Sequence, residues 1–473
     1  MAAQGKAKES LSDMVNRDMS LKEQMSLTVR LSMPSIMAQL SSIVMQYIDA
    51  AMVGSLGALA SASIGLMMAP IWLFTGICIT SVSGFSVQVA HLLGAKDEVK
   101  ARIVVRQAYV VLMIFAFIVS AIACSLANTL PNFLGGSDDI IGNAAAYFMI
   151  YMAALPLFQL NFLSAAMLRC SGNMLLPSMI NILMCILDVI FNFIFIFDSR
   201  TITLPLLGEV HIYGANMGVQ GAAIGTALAA GVTGIIMTYC LTLKSPSLAL
   251  NKDHGSFKPT LEIVRRALRI SLPITAQQFM ISSAQIVSTM IVAPLGTIAI
   301  AAHSFAITIE AICYMPGFGI GDAATTLVGQ SIGARRFDLT KRFAVITLSF
   351  GTLVMAFMGM LMYIFAPDVM AIMTPDMSVQ EQAVAVLRIQ AFAEPLFAVA
   401  IVGYGICVGA GDTFIPSLLN FGSMWLIRLG MAYYLSLDYG LKGVWIAMAI
   451  ELSVRGLLFL ARLKWGNWIK SLA

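Results

Sequence analysis

Residues 31–53 read LSMPSIMAQLSSIVMQYIDAAMV, an apolar run of the length that a membrane-spanning helix needs. Residues 270–292 read ISLPITAQQFMISSAQIVSTMIV and repeat its pattern, with Pro273 standing 239 residues after Pro34. The same offset aligns further pairs along the chain: Gln39 with Gln278, Gln46 with Gln285, Gly94 with Gly333, Pro156 with Pro395, Gly172 with Gly411 and Asn181 with Asn420. The sequence therefore predicts a membrane protein built from two copies of one unit.

The composition of the whole chain agrees with many such runs. Of its 473 residues, 59% are hydrophobic and 11% are charged, and the mean hydropathy is +0.87. An ordinary soluble domain is about 25% charged, so the composition excludes a soluble enzyme, a disordered protein and a nucleic-acid binder. The net charge of +4 is too small to indicate a polyanionic partner.

Apolar runs between charged or Gly/Pro-rich breaks predict an all-α membrane protein with twelve transmembrane helices in two pseudo-symmetric six-helix lobes. Because each unit has an even number of spans, the two copies have the same topology, related by an axis along the membrane normal. We divide the chain into an N-terminal segment 1–30, an N-lobe 31–243, a linker 244–267, a C-lobe 268–463 and a tail 464–473. The predicted spans are 31–53, 62–88, 103–127, 143–168, 175–197, 219–243, 268–292, 300–328, 341–366, 381–407, 414–436 and 441–463.

The distribution of basic residues predicts the orientation. With the N-terminus inside, the inner segments hold 23 of the 28 Lys and Arg residues, and the outer loops hold only Arg200 and Lys442. Such an asymmetry places both termini in the cytoplasm under the positive-inside rule. A capping box is expected at Ser20 and Glu23, where a short helix would lead into the first span.

Two predicted spans of the N-lobe carry polar residues at membrane depth. An acidic residue there is costly, so each one indicates a function or a partner. The helical spacing places each set on one face, so the two faces could meet inside the lobe. The residues are Gln39, Ser42, Gln46 and Asp49 in the first span, and Asn181, Cys185, Asp188 and Asn192 in the fifth.

The two acidic residues Asp49 and Asp188 are not conserved between the two copies of the repeat. Asp49 aligns with Ser288 and Asp188 aligns with Ile427, so the second copy lacks both carboxylates. This difference favours ion handling in the N-lobe, because acids needed only for packing would be expected in both copies. Interhelical hydrogen bonding remains the alternative for both residues.

The C-lobe has its own polar residues within predicted spans. Glu310 in the eighth span and Glu394 in the tenth either face a central cavity or make interhelical hydrogen bonds. Glu451 and Arg455 stand four residues apart in the twelfth span, so the spacing predicts an ion pair. His303, Tyr314, Arg388 and Gln390 complete the set.

Catalytic and metal-binding motifs are absent from the sequence. We find no H-E-x-x-H, P-loop or nucleophile triad, and the cysteines form no C-x-x-C pair that would indicate zinc or disulfides. We therefore expect no enzyme activity, no cofactor and no structural metal. A receptor or scaffold remains possible on these grounds, although the duplication favours a carrier with alternating access.

Three stretches of the sequence resemble the multidrug and toxic-compound extrusion (MATE) family. The first runs from Pro34-Ser-Ile-Met-Ala-Gln-Leu through Ile48-Asp49 to Gly54-Ser-Leu-Gly57. The second runs from Ala293-Pro-Leu-Gly296 to Ala301-Ala302-His303, followed by Val328-Gly329-Gln330-Ser-Ile-Gly333-Ala334. The third is the pair of corners Leu168-Arg169-Cys-Ser-Gly172-Asn173 to Pro177 and Gly409-Ala-Gly411-Asp412-Thr to Pro416. The resemblance extends from about residue 20 to residue 465.

This resemblance implies a monomeric antiporter of the bacterial cytoplasmic (inner) membrane that exports lipophilic cations by alternating access, coupled to H⁺ or Na⁺. The family's ion site in the first lobe uses an acid in the first helix, a polar pair in the fifth and a threonine in the sixth. The pair is reversed here, with the acid before the amide. The implied ion-coupling residues are Asp49, Asp188, Asn192, Asn181, Gln46 and Thr226, with Na⁺ as one possible ion at Asp49 and Asp188.

The implied substrate cavity would receive small lipophilic cations in the second lobe. A lipid-linked oligosaccharide flippase of the same superfamily is the alternative function. Such a flippase should line its cavity with cationic residues, for which only Arg388 and Arg428 are available. The residues expected to line the substrate cavity are Glu310, Tyr314, Gln285, Gln278 and Glu394.

Overall fold

The structure, a computed structural model, describes residues 10–204 and 208–469. A two-stranded antiparallel hairpin, β1 (Asp198–Leu204) and β2 (Gly208–Ala215), lies in the long loop of the first half. The helices are α1 (Leu11–Asn16), α2 (Leu21–Gly54), α3 (Ala58–Gly94), α4 (Glu98–Leu126), α5 (Leu130–Phe133), α6 (Asp138–Ala153), α7 (Leu155–Cys170), α8 (Leu175–Ile196), α9 (Gly218–Tyr239), α10 (Leu261–Val292), α11 (Thr297–Gly333), α12 (Phe337–Met373), α13 (Met377–Ala391), α14 (Glu394–Gly409), α15 (Phe414–Gly422), α16 (Gly430–Tyr439) and α17 (Leu441–Trp465).

These helices form the twelve predicted spans. Among the described residues, nine helices are long and apolar enough to cross a membrane, counting the π-helical turn Cys240–Lys244 with α9. Two further spans are bent pairs, α6 with α7 at 44° and α13 with α14 at 59°. The twelfth is α15 and α16, joined by the π-helical turn Ser423–Leu429. The all-α fold with twelve spans is confirmed.

Each bend occurs at a proline that the repeat places in both halves. Pro156 stands in the first turn of α7, and Pro395 stands in the first turn of α14. A proline has no N–H to donate and is therefore favoured in the first turn of a new helix. The matched prolines explain why the fourth span of each lobe consists of two helices.

Several helices extend beyond the predicted spans at the ends that carry charged residues. The helix predicted to start at residue 31 starts at Leu21, after the predicted capping box of Ser20 and Glu23, which is confirmed. The segment 244–267 is not entirely a linker, since α10 begins at Leu261. Charged residues end a membrane span without ending a helix, which explains the difference. Residues 1–9 of the N-terminal segment and 470–473 of the tail lie outside the described residues.

The two lobes meet through pseudo-symmetric crossings near the loops that carry most of the basic residues. We call this side of the molecule the basic end. A Cβ added to Gly94 of α3 would lie 2.0 Å from the carbonyl oxygen of Gln330. A Cβ added to Gly333 of α11 would lie 1.9 Å from the carbonyl oxygen of His91. These four residues form two pairs at the offset of 239, and only glycine allows such an approach.

Hydrogen bonds between the lobes follow the same symmetry. The ring Nε2 of His91 lies 2.8 Å from the carbonyl oxygen of Gly409, and Nε2 of Gln330 donates to the carbonyl oxygen of Cys170 at 2.7 Å. His91 aligns with Gln330 and Cys170 aligns with Gly409 in the repeat. The interface between the lobes is therefore closed at the basic end by matched contacts from both copies.

The segments before the two lobes attach differently at the basic end. The linker packs on the N-lobe, where Asp253 pairs with Arg102 and Arg106 of α4. Hydrogen bonds from these two arginines hold the pKa of Asp253 below its ordinary value. The short helix α1 contacts the N-lobe as well, since Ser12 donates to the carbonyl oxygen of Leu93 at 2.6 Å, but the residues after it reach the C-lobe, where Asp18 pairs with Arg336 at 2.8 Å.

Candidate functional site

The polar faces of α2 and α8 meet inside the N-lobe, as the helical spacing predicts. Nδ2 of Asn192 donates to Oδ1 of Asp49 at 2.9 Å and to Oδ2 of Asp188 at 3.1 Å. The carboxyl groups of Asp49 and Asp188 lie beside each other. Asp188 and Asn192 are buried, while Asp49 is partly exposed. A single amide thus bridges two carboxyl groups from different helices.

Besides α2 and α8, the helix α9 also contributes residues to this site. A Cβ added to Gly225 would lie 2.1 Å from Oδ1 of Asn192, so the glycine makes room for the amide. The next residue, Thr226, faces Asp188. Gly225 therefore provides the space for Asn192, and Thr226 provides a hydroxyl group for the carboxyl pair.

The oxygen atoms of this site are not all satisfied. Oδ1 of Asp188 and Oδ1 of Asn192 are buried and have no hydrogen-bond partner. Two adjacent carboxylates repel each other when both are ionised, so the pair favours a bound proton or a bound cation. The available ligands are oxygens of carboxyl, amide and hydroxyl groups, which suit a proton or a hard cation.

Two tyrosines near the carboxyl pair were missed by the sequence analysis. Tyr147 and Tyr151 lie one turn apart on α6, and both are close enough to Asp49 and Asp188 to interact with their charge. Tyr147 is 8% exposed. Their spacing of four residues within an apolar span is the one sequence signal that could have identified them.

The other predicted ion-coupling residues lie further from the carboxyl pair. Gln46 is exposed and Asn181 is half-buried. Ser42 of α2 lies beside Cys185 of α8, so the two polar faces also meet at a second point, away from the two acidic residues. The structure thus brings Asp49, Asp188, Asn192 and Thr226 together and leaves Gln46 and Asn181 outside that contact.

The C-lobe contains a second pair of acidic residues on other helices. Nε2 of Gln390 donates to Oε1 of Glu310 at 2.7 Å. Glu394 lies close to Glu310, is fully buried, and has no hydrogen-bond partner for either carboxyl oxygen. These glutamates align with Ile71 and Leu155 in the first copy. Each lobe therefore has its own acidic pair.

The C-lobe also holds a buried network of ion pairs. Glu451 accepts from Nε of Arg428 at 2.9 Å and from Nε of Arg455 at 2.7 Å, and it forms an ion pair with both, which confirms the predicted pair in the twelfth span. Arg428 lies in the π-helical turn Ser423–Leu429. Removing these charges from water costs free energy that the paired geometry offsets. His303 accepts a hydrogen bond from Nε1 of Trp445 at 3.1 Å.

The residues predicted to line a substrate cavity differ in their exposure. Gln285 is exposed, whereas Gln278 packs against Gly76 of the other lobe. Tyr314 is half-buried and contacts the rings of Phe318 and Phe397. Glu310 is 6% exposed and Glu394 is 0% exposed, so both acids lie within the lobe.

The comparison with protein families matches both halves of the chain. A sequence model of the family described as MatE matches residues 34–194 and 273–434. Its two segments begin 239 residues apart (34 and 273), the offset of the repeat. The model therefore recognises the same unit twice and covers more than half of the chain.

Curated relatives match along almost the whole length. A probable multidrug resistance protein NorM of Thermotoga maritima is 25% identical over 449 residues, covering 93% of this chain and 92% of that protein. A protein of the same name from Bacillus anthracis is 24% identical over 448 residues, covering 94% of this chain and 96% of that protein.

A solved structure has the same fold. The Vibrio cholerae MATE transporter VcmN in its bent form superposes with a TM-score of 0.82 at 18% identity, covering 95% of this chain and 99% of that chain. The fold of the present chain is therefore that of a known transporter structure.

Proposed function

The chain belongs to the MatE family, and from this premise we propose that it is a cation-coupled antiporter that exports cationic or amphipathic drugs by alternating access. The multidrug resistance proteins among its relatives support efflux of drugs. The coupling ion in this proposal is H⁺ or Na⁺, and the membrane is the bacterial cytoplasmic membrane with both termini inside.

The carboxyl pair of the N-lobe is the observation that supports coupling. Asp49 and Asp188 lie beside each other, Asn192 bridges them, and one buried carboxyl oxygen has no partner. Such a pair binds a proton or a cation in place of the missing partner. Since Asp49 is partly exposed and Asp188 is buried, the ion would enter past Asp49.

Coupling further requires that the ion and the drug prefer different conformations. A ligand with equal affinity for two states shifts neither of them. Binding of the ion between α2 and α8 would change the packing of the N-lobe, while a cationic drug would be attracted by Glu310 and by aromatic rings such as that of Tyr314. Gln278, Gln285 and Glu394 belong to the proposed substrate cavity as well.

The alternative function as a flippase for a pyrophosphate-linked lipid finds no support in the two arginines that it would require. Arg428 is engaged by Glu451. Arg388 donates to the carbonyl oxygen of Tyr363 and lies over the Tyr363 ring at 5.2 Å. Both guanidinium groups thus have partners within the C-lobe, which favours the antiporter over the flippase.

The proposal is tested with the Asp49→Asn variant in reconstituted vesicles. An asparagine has the shape of a protonated aspartic acid but neither releases a proton nor carries a charge. We expect dye efflux driven by an imposed pH or Na⁺ gradient to fall to the rate of empty vesicles. Comparing the two gradients in the wild-type protein identifies the ion.

The matched control is Ser288→Ala at the equivalent position of the second copy. We expect this variant to retain gradient-driven efflux. Wild-type efflux by Asp49→Asn would contradict the proposal, as would an absence of gradient-driven efflux in the wild-type protein.

A further inference from the structure

One face of α2 is polar along almost its whole length. A polar residue occurs at every third or fourth position, a spacing that keeps all of them on one side of a helix. With a rise of 1.5 Å per residue, the face extends over about 37 Å, more than the apolar thickness of a membrane. Its residues are Gln24, Thr28, Ser32, Ser35, Gln39, Ser42, Gln46 and Asp49.

The duplicate helix α10 does not keep this face. At the four positions nearest the basic end, only Ser271 is polar. The other three positions of α10 are Ile263, Ala267 and Ile274, in place of Gln24, Thr28 and Ser35. The packing of a lobe is therefore compatible with apolar residues at these positions of its first helix. The continuous polar face occurs only in the helix that carries Asp49.

The hydrogen bonding of the two helices differs in the same way. Ser271 accepts from the backbone N–H of Gly84 at 2.9 Å and donates to the carbonyl oxygen of Ser81 at 3.0 Å. Its counterpart Ser32 is 0% exposed, and its hydroxyl group has no partner. The side-chain oxygen of Gln24 is likewise buried without a partner. A buried polar group without a partner is destabilising, so these groups do not stabilise the conformation in which the lobes are closed at the basic end.

The half of this face near the basic end is covered by the other lobe. A Cβ added to Gly319 of α11 would lie 2.7 Å from the backbone nitrogen of Ile36. Ser35 donates to Oδ2 of Asp322 at 3.3 Å, and Arg169 lies 3.9 Å from the same oxygen. Separation of the lobes at the basic end would therefore expose the face to water.

We propose that the face of α2 from Gln24 to Ser35 is the hydrated path of the coupling ion between Asp49 and the basic end in the opposite conformation. This inference rests on the proposed function. Hydroxyl and amide groups stabilise a chain of water molecules that transfers protons, and their oxygens also bind Na⁺. Once the lobes separate, the unpartnered oxygens of Ser32 and Gln24 acquire water as their partner.

The test removes three hydroxyl groups from this path while almost preserving side-chain volume. The variant combines Thr28→Val, Ser32→Ala and Ser35→Ala. We expect efflux driven by the ion gradient to fall about tenfold or more. Exchange of labelled for unlabelled drug without an ion gradient should stay at the wild-type rate, because that exchange requires no passage of the ion. Running both assays with pH and Na⁺ gradients distinguishes a proton path from a sodium path.

The matched control carries Ser26→Ala and Ser41→Ala, an exposed and a half-buried serine of the same helix that lie outside the polar face. We expect it to retain both activities. Equal losses of gradient-driven efflux and of drug exchange in the triple variant would overturn the proposal, since they indicate a structural role. Unchanged gradient-driven efflux would overturn it as well.

A second variant keeps the test decisive if the triple variant does not fold. Ser32→Ala alone removes a hydroxyl group without a partner, so it should leave the folded structure intact. We expect a smaller loss of gradient-driven efflux, again with drug exchange retained. Failure of the proposed function can be distinguished from failure of the ion path. If the proposed function is wrong, the wild-type protein itself shows no gradient-driven efflux.

Discussion

The N-lobe and the C-lobe share a scaffold but differ in the charges they bury. The N-lobe places Asp49 and Asp188 on its first and fifth spans, joined by Asn192. The C-lobe places Glu310 and Glu394 on the equivalents of the second and fourth spans. It also holds Arg428, Glu451 and Arg455 in one network. The equivalent residue of Arg428 is Val189, at the offset of 239. In the sixth span of each lobe the offset is 222, which aligns Gly218 with Gly440, so Ala229 and Thr233 are the equivalents of Glu451 and Arg455.

This difference separates two kinds of residue in a duplicated protein. The glycines of the lobe crossing and the prolines of the bent spans occur in both copies, because both lobes need the same helix packing. The buried charges occur in one copy only, so the packing does not require them. The buried charges instead contribute to ion or drug binding, or to the stability of the lobe that contains them.

The largest effect on stability is expected where the lobes differ most in ion pairing. Glu451→Gln would leave the buried arginines Arg428 and Arg455 without their counter-charge. Loss of one partner of a buried ion pair costs about 3–5 kcal/mol. We expect a clearly lower unfolding temperature for the purified protein in detergent, measured by tryptophan fluorescence.

The control is Glu381→Gln, which changes an exposed glutamate of the same lobe. Its unfolding temperature should equal that of the wild-type protein. An unchanged unfolding temperature for Glu451→Gln would show that the C-lobe does not depend on the network.

A smaller effect is expected where the lobes are alike. An added methyl group at Gly94 or at Gly333 would overlap the backbone of the facing lobe. Overpacking of this kind costs about 1–3 kcal/mol, which would shift the population of the closed basic end about 5- to 150-fold. Gly94→Ala and Gly333→Ala should have similar effects because the crossing is pseudo-symmetric.

Spin labels on the exposed positions Lys100 and Lys341 would report the distance between the lobes, in a background without native cysteines. Both variants should show more molecules at long distance. The control Gly65→Ala, where an added Cβ would have no atom within 4 Å, should show none of this shift. An effect in only one of the two variants would disprove the equivalence of the crossings.

The sequence predicted the parts of the fold that depend on local pattern. Apolar runs located the twelve spans, and the capping box at Ser20 and Glu23 located the true start of α2. Helical spacing correctly brought Asp49 next to Asn192 and paired Glu451 with Arg455. These successes share a cause, because a helix fixes which side chains lie on one face.

Other features depend on contacts between distant segments and could not be predicted in this way. The four-residue spacing of Tyr147 and Tyr151 places both on one face of α6, but the approach of that face to the carboxyl pair depends on how distant helices pack. The burial of Glu394 depends on how α14 packs after its own bend. The spans were also predicted too short, because helices continue into water where apolar runs end.

The central claim is that coupling depends on the carboxyl pair of the N-lobe and not on that of the C-lobe. The direct measurement compares Asp188→Asn with Glu394→Gln in reconstituted vesicles, recording efflux driven by the ion gradient and drug exchange without a gradient. The account predicts that Asp188→Asn loses only gradient-driven efflux, whereas Glu394→Gln keeps the coupling and changes the affinity for the drug. Gradient-driven efflux that survives in Asp188→Asn and disappears in Glu394→Gln would contradict it.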